Sequence, residues 1–144
     1  MPTLDARLRD LERAGPYMAP HNLDAVAKAA KKAGLTLVRV DLKGVHDKQG
    51  LLNAIAAALK FPEWFGENWD ALEDCLTDLS WLKARGYVLV LDHCAELDKH
   101  APRELEVAIE VFESVAEYWQ EQNRPFWALF SGLDAPLSGI KLLA

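Results

Sequence analysis

Two runs in this chain, YVLVLDH from Tyr87 and FWALFSG from Phe126, constrain its fold more than anything else in it. Both are apolar almost without interruption. That pattern marks a strand buried on both faces, whereas a strand with one wet face alternates. Between them, Pro102 opens a long segment in which Leu105, Ile109, Phe112, Val115, Ala116 and Trp119 recur at helical spacing. LTLVRVDL, from Leu35, is a third, β-branched-rich strand. After it, Asp47 caps a helix carrying Leu51, Leu52, Ile55 and Leu59, which Phe61-Pro62 breaks. Strand, helices, strand, helix, strand is the order of parallel βαβ units with right-handed crossovers. The expected class is α/β, with a small parallel three-stranded sheet packed with helices.

The texture differs before Leu35. Leu4, Leu8 and Leu11 share a helical face over residues 3–14, and Gly15-Pro16 ends that run. Asn22 caps a second helix with Leu23, Val26, Ala27 and Ala30 inward, stopped by Gly34. The GPYMAPH linker has room for a short edge strand. Residues 1–34 therefore read as an N-terminal helical extension of the same domain, and residues 35–144 as its main unit. A chain of 144 residues is long enough to bury a core without disulfides or metal. The N-terminal stretch lacks a continuous apolar stretch, which predicts no signal peptide. Cys75 and Cys94 form no CxxC and are expected as reduced thiols in a cytoplasmic protein. A net charge of −6 disfavours direct contact with nucleic acid and favours a basic partner.

The acid is concentrated. FPEWFGENWDALEDCLTDLSWL, residues 61–82, holds six carboxylates, three tryptophans and no Lys or Arg. On a helical wheel Glu67, Asp70, Asp74 and Asp78 cluster, with Glu73 and Thr77 just beyond. The opposite arc is Ala71, Leu72, Cys75, Leu76 and Leu79, and Trp69 sits on the border. Gly66 relaxes the entry, Asn68 is a good N-cap, and Glu67 and Asp70 suit the positive end of the helix dipole. Those reasons fade toward Asp78. Like charges at i,i+4 cost roughly 0.2–0.5 kcal/mol per pair, and several together about 1–2 kcal/mol. A solvated outer face is the ordinary reading of a charge run, but such a face usually intersperses cations. Trp64, Trp69 and Trp81 are interface-type anchors or core packing, and Trp81 suits either role.

These residues resemble the barstar family of ribonuclease inhibitors. The similarity centres on FPEWFGENWDALEDCLT, residues 61–77, with a weaker match from Leu35 to about Gly132. The resemblance implies a barstar-like α/β fold, no catalytic activity and no cofactor. It implies an inhibitor that remains in the cytoplasm and forms a one-to-one complex with a basic, secreted ribonuclease, without membrane or direct nucleic-acid contact. It places Trp64, Asn68, Trp69, Asp70, Glu73, Asp74 and Thr77 on the contact face. Asp74 takes the place of a substrate phosphate, and Asp70 pairs with basic residues of the enzyme. Asp78 and Trp81 extend that surface. Glu73 stands where the best-known member has Trp. The acid contributed by a later helix has no matching residue here, which leaves Glu113, Ser114 and Glu117 open.

Two other classes compete with this reading. In a metal-dependent hydrolase, Glu67, Asp70 and Asp74 would hold a divalent cation, but they share one exposed face without EF-hand spacing. His21, His46, His93 and His100 are scattered and lack HExxH spacing. His93-Cys94 is not a catalytic pair if both lie in a strand, where neighbours point to opposite faces. The other class is an acidic-helix interaction or immunity module for a basic partner that is not a ribonuclease. It needs the same surface.

Overall fold

The structure, a computed structural model, describes residues 3–63 and 66–143. In chain order its elements are α1 (Leu4–Leu8), β1 (Pro16–Met18), α2 (Leu23–Ala33), β2 (Thr36–Asp41), α3 (Lys48–Ala58), α4 (Trp69–Asp78), β3 (Tyr87–Asp92), α5 (Ala95–His100), α6 (Pro102–Glu121) and β4 (Phe126–Phe130). The sheet order is β1-β4-β3-β2, and every neighbouring pair is parallel.

The doubly apolar runs are central strands, and successive residues divide between two cores. Tyr87, Leu89 and Leu91 of β3, with Phe126, Ala128 and Phe130 of β4, face a layer built from α3, α4, α5 and α6. Val88, Val90, Trp127 and Leu129 face the other way, onto Leu8, Val26, Ala29 and Ala30 of α1 and α2. All ten strand residues are essentially inaccessible to water. Side-chain alternation along a strand makes this division unavoidable: a strand apolar on both faces requires two covering layers.

The sheet has four strands where three were expected, and the added one is the short edge strand for which the GPYMAPH linker had room. A fourth strand comes from the N-terminal extension, where Pro16, Tyr17 and Met18 pair with Ala128, Leu129 and Phe130. Proline is tolerated there because β1 is short and lies at the sheet's edge. The chain near Leu142 covers that edge, with Met18 N–H bonded to the Lys141 carbonyl at 2.8 Å. Without α1, β1 and α2, Trp127 and its neighbours would face solvent. Trp127 instead donates its indole N–H to the Leu8 carbonyl at 2.8 Å.

Other differences are local. The first helix closes at Leu8, five residues beyond its Thr3 cap, and Leu11 is half-buried in the turns that follow. In α2, Asn22 and Gly34 cap as expected, with Gly34 left-handed at φ 78°. The buried positions of α2 are Val26, Ala29 and Ala30, while Ala27 is exposed. The short helix α5 was not anticipated, since Leu97 is its only buried residue and supplies no repeat. In α6 every expected inward residue is buried.

Candidate functional site

The acidic segment is anchored at both ends. Ahead of it, the Trp81 indole N–H donates to the Leu59 carbonyl at 2.9 Å, and Phe61 meets the Trp81 ring edge-to-face at 5.9 Å. The turn into the helix places Glu67, not Gly66, in the left-handed region, at φ 53°. Asn68 is then the cap: its Oδ1 accepts from Ala71 N–H at 2.7 Å, and its Nδ2 donates to the Gly66 carbonyl. Glu67 thus lies outside the helix, which removes it from the row drawn on the wheel. Its conformation belongs to the turn.

Leu72, Cys75 and Leu76 bury one face of α4. The Trp119 indole of α6 donates to the Leu76 carbonyl at 2.8 Å and ties the two helices together. Burial pushes the Cys75 thiol up to about 11, with the Asp74 and Asp78 charges adding to it. Thr77 is half-buried, and its hydroxyl donates back to the Glu73 carbonyl at 2.8 Å. The helix ends on Leu79, buried and left-handed at φ 46°.

What remains outward is acid. Asp70, Asp74 and Asp78 are exposed, and Glu73 is half-exposed beside them. Among the described residues, none of these carboxylates takes part in an ion pair. Trp69 is half-buried against the core, with the Lys48 ammonium 5.9 Å from its ring centroid. The fold therefore brings a cation to the border of this face, although none lies between Lys60 and Lys83 in sequence. Trp81 is half-buried and its indole nitrogen is engaged internally. Trp64 falls outside the described residues.

Glu113 and Glu117 belong to a second acidic row that was not drawn from the sequence. Helix α6 exposes Glu106, Glu110, Glu113, Glu117 and Glu121, and Ser114 is exposed among them. The three- and four-residue spacing of those glutamates was the available signal. Unbroken acid is thus a property of two packed helices, and repulsion within α4 is not by itself diagnostic.

A third cluster lies at the C-terminal ends of β2 and β3. His93 Nδ1 is 2.7 Å from Asp41 Oδ1, and Arg39 pairs with Asp92 at 3.1 Å. Bonds from the Lys43 backbone N–H and from His93 hold the Asp41 carboxyl below its usual range. The strand ends at Asp92, so His93 and Cys94 diverge through a left-handed His93, φ 58°, with the imidazole exposed and the thiol buried. Burial pushes the Cys94 thiol up to about 12. All four histidines are exposed. Among the described residues no group of three or more His, Cys, Asp or Glu is arranged to hold a metal ion.

A protein-family model described as "Barstar (barnase inhibitor)" matches residues 35–131. The chain belongs to the barstar family. The match begins one residue before β2 and ends one residue after β4. It contains α4 and α6 whole and leaves out α1, β1 and α2. By its description the barstar family is one of inhibitors. A comparison with curated protein sequences found no match. No helix among the described residues is long and apolar enough to cross a membrane.

Proposed function

We propose that this barstar-family chain is a cytoplasmic inhibitor of a basic ribonuclease, and that α4 enters the enzyme's active site. One observation carries the reading. Asp70, Asp74 and Asp78 stand exposed, with no ion-pair partner among the described residues, on a helix that Asn68 caps and Trp119 grips. A nuclease site holds an anionic backbone with Arg, Lys and His. Carboxylates on a fixed rod satisfy those donors and offer no scissile bond. Because they are positioned before contact, little ordering cost falls on binding. Opposite fields speed encounter and select the partner. In this reading Asp74 is the principal anchor and Asp70 the second. Asn68, Trp69, Glu73, Thr77, Asp78 and Trp81 complete the surface with Trp64, and one of Glu113, Ser114 and Glu117 contributes from α6.

The glutamate row of α6 favours one alternative, an immunity or interaction module for a basic partner that is not a ribonuclease. Titration into a panel of small basic microbial ribonucleases, following RNA cleavage, separates the two. Stoichiometric one-to-one loss of activity for at least one enzyme is the expected result. Undiminished cleavage across the panel, including any enzyme encoded beside this protein, would leave the alternative.

A further inference from the structure

A second surface has the opposite charge. Arg7 of α1, Arg13 of the following loop and Lys141 near the C-terminal end converge on a cleft of about 490 Å³. Its remaining walls include Tyr17 of β1, Trp127 of β4 and Leu142. Among the described residues no carboxylate side chain lines it, in a chain with 22 acidic residues and 16 basic ones. Arg13 has one distant partner, Asp10, at 3.6 Å. Among the described residues neither Arg7 nor Lys141 is in an ion pair.

The cleft is built rather than incidental. The Tyr17 hydroxyl donates to the Arg13 carbonyl at 2.5 Å and so fixes the loop that carries that guanidinium. Tyr17 is half-buried and lies 5.5 Å from Trp127 at 42°. Trp127 is itself closed to water, so the ring the cleft presents is Tyr17, backed by an indole that the Trp127–Leu8 hydrogen bond holds in place. Leu142 is 57% exposed, which leaves apolar area at the mouth. Trp127 belongs to the core on the α1/α2 side of the sheet, and α4 packs in the core on the other side. The cleft therefore shares no residue with the acidic face.

We infer that this cleft binds a phosphate monoester carried on an aromatic body, such as a mononucleotide or an aryl phosphate. Its volume is in the range of small-ligand sites, about 300–1,000 Å³. Two guanidiniums and an ammonium match a dianionic phosphate, and Arg offers it paired donors. A lone carboxylate would leave most of that positive charge unmatched. The Tyr17 ring and the exposed Leu142 side chain suit a flat ring beside the phosphate. A nucleic-acid strand is the wrong occupant, because the rest of a surface with net charge −6 repels a polyanion.

The test uses the whole chain without any nuclease, so its outcome is independent of the inhibitor reading. AMP, UMP, phenyl phosphate, inorganic phosphate and adenosine are titrated while the Trp127 indole and Tyr17 ring resonances are followed. The three aromatic phosphates should saturate by about 1 mM. Inorganic phosphate should bind more weakly and adenosine should not saturate. Arg7→Gln and Lys141→Gln should each weaken binding about tenfold. Arg13→Gln should do the same while the Tyr17 bond, which uses the backbone carbonyl, is kept. Asp74→Ala should change nothing. Absence of saturation, shifts confined to another surface, or binding unchanged in the Arg7→Gln/Lys141→Gln double variant with an undisturbed Trp127 indole signal would overturn the inference.

Discussion

Helices α4 and α6 pack together in one core and both turn carboxylates outward, yet they are built for different degrees of order. Helix α4 has ten residues, a side-chain cap from Asn68, and mostly aspartates on its outer face. Helix α6 has twenty residues, starts at Pro102 without a side-chain cap, and exposes glutamates. An aspartate carries its charge one methylene nearer the backbone and has less rotamer freedom to lose when a partner fixes it. By count of charge α6 is the more acidic helix. What separates the two is how little must be ordered on contact, and that is the property a docking surface needs.

The comparison breaks most visibly in binding. Truncating one member of a buried charge pair costs about 2–5 kcal/mol, a range to which the barnase–barstar pair itself contributes. Asp74→Ala should cost that much in the dissociation constant of a target ribonuclease, chiefly through faster dissociation. Glu106→Ala and Glu121→Ala on α6 should stay under about 0.5 kcal/mol. Equal losses on the two helices would show that overall charge, not the α4 geometry, drives association.

The next effect concerns what holds α4 still. Trp119→Phe removes the indole N–H that bonds the Leu76 carbonyl and should lower stability by about 1–3 kcal/mol in chemical denaturation. An unchanged midpoint would mean the helices are coupled by packing alone. Asn68→Ala should cost about 1 kcal/mol, because the Ala71 N–H loses its acceptor. The same measurement on Ala101→Gly, at the uncapped start of α6, should give less. A larger loss there would reverse the assignment of the better-anchored helix.

The smallest expected signal is chemical. Burial raises the Cys75 thiol to about 11, so at pH 8 almost none is thiolate. Alkylation at pH 8 should be far slower than for a free thiol, and should quicken only as pH rises toward that value. Rapid labelling at pH 8 would show α4 opening away from α6, which the proposed role of a rigid rod forbids.

Much of this was legible before any coordinates. The unbroken apolar runs of β3 and β4 demanded two covering layers, and Asn68 followed by a split wheel demanded α4. The rest was harder to read for physical reasons. The GPYMAPH linker had room for an edge strand, but β1 is three residues long and begins with proline, so pairing with β4 makes it a strand and local pattern does not. Glu67 was placed in the helix because its type suits a first turn, but the backbone uses it to make the turn. Glu113 and Glu117 were singled out through the resemblance, but the regular row they form with Glu106, Glu110 and Glu121 was passed over for the inward residues between them. Arg7, Arg13 and Lys141 meet only through the fold, since no spacing joins residues that far apart in the chain.

The central claim is that α4 is the surface that meets the partner. The most direct measurement is an NMR map of backbone amides and tryptophan indoles, comparing the free chain with its complex with an inhibited ribonuclease. The account predicts perturbation and exchange protection concentrated on residues 68–78 and the Trp81 indole, with the outer end of α6 unmoved. Perturbation confined to another surface, with the Asp70, Asp74 and Asp78 amides unchanged, would contradict it.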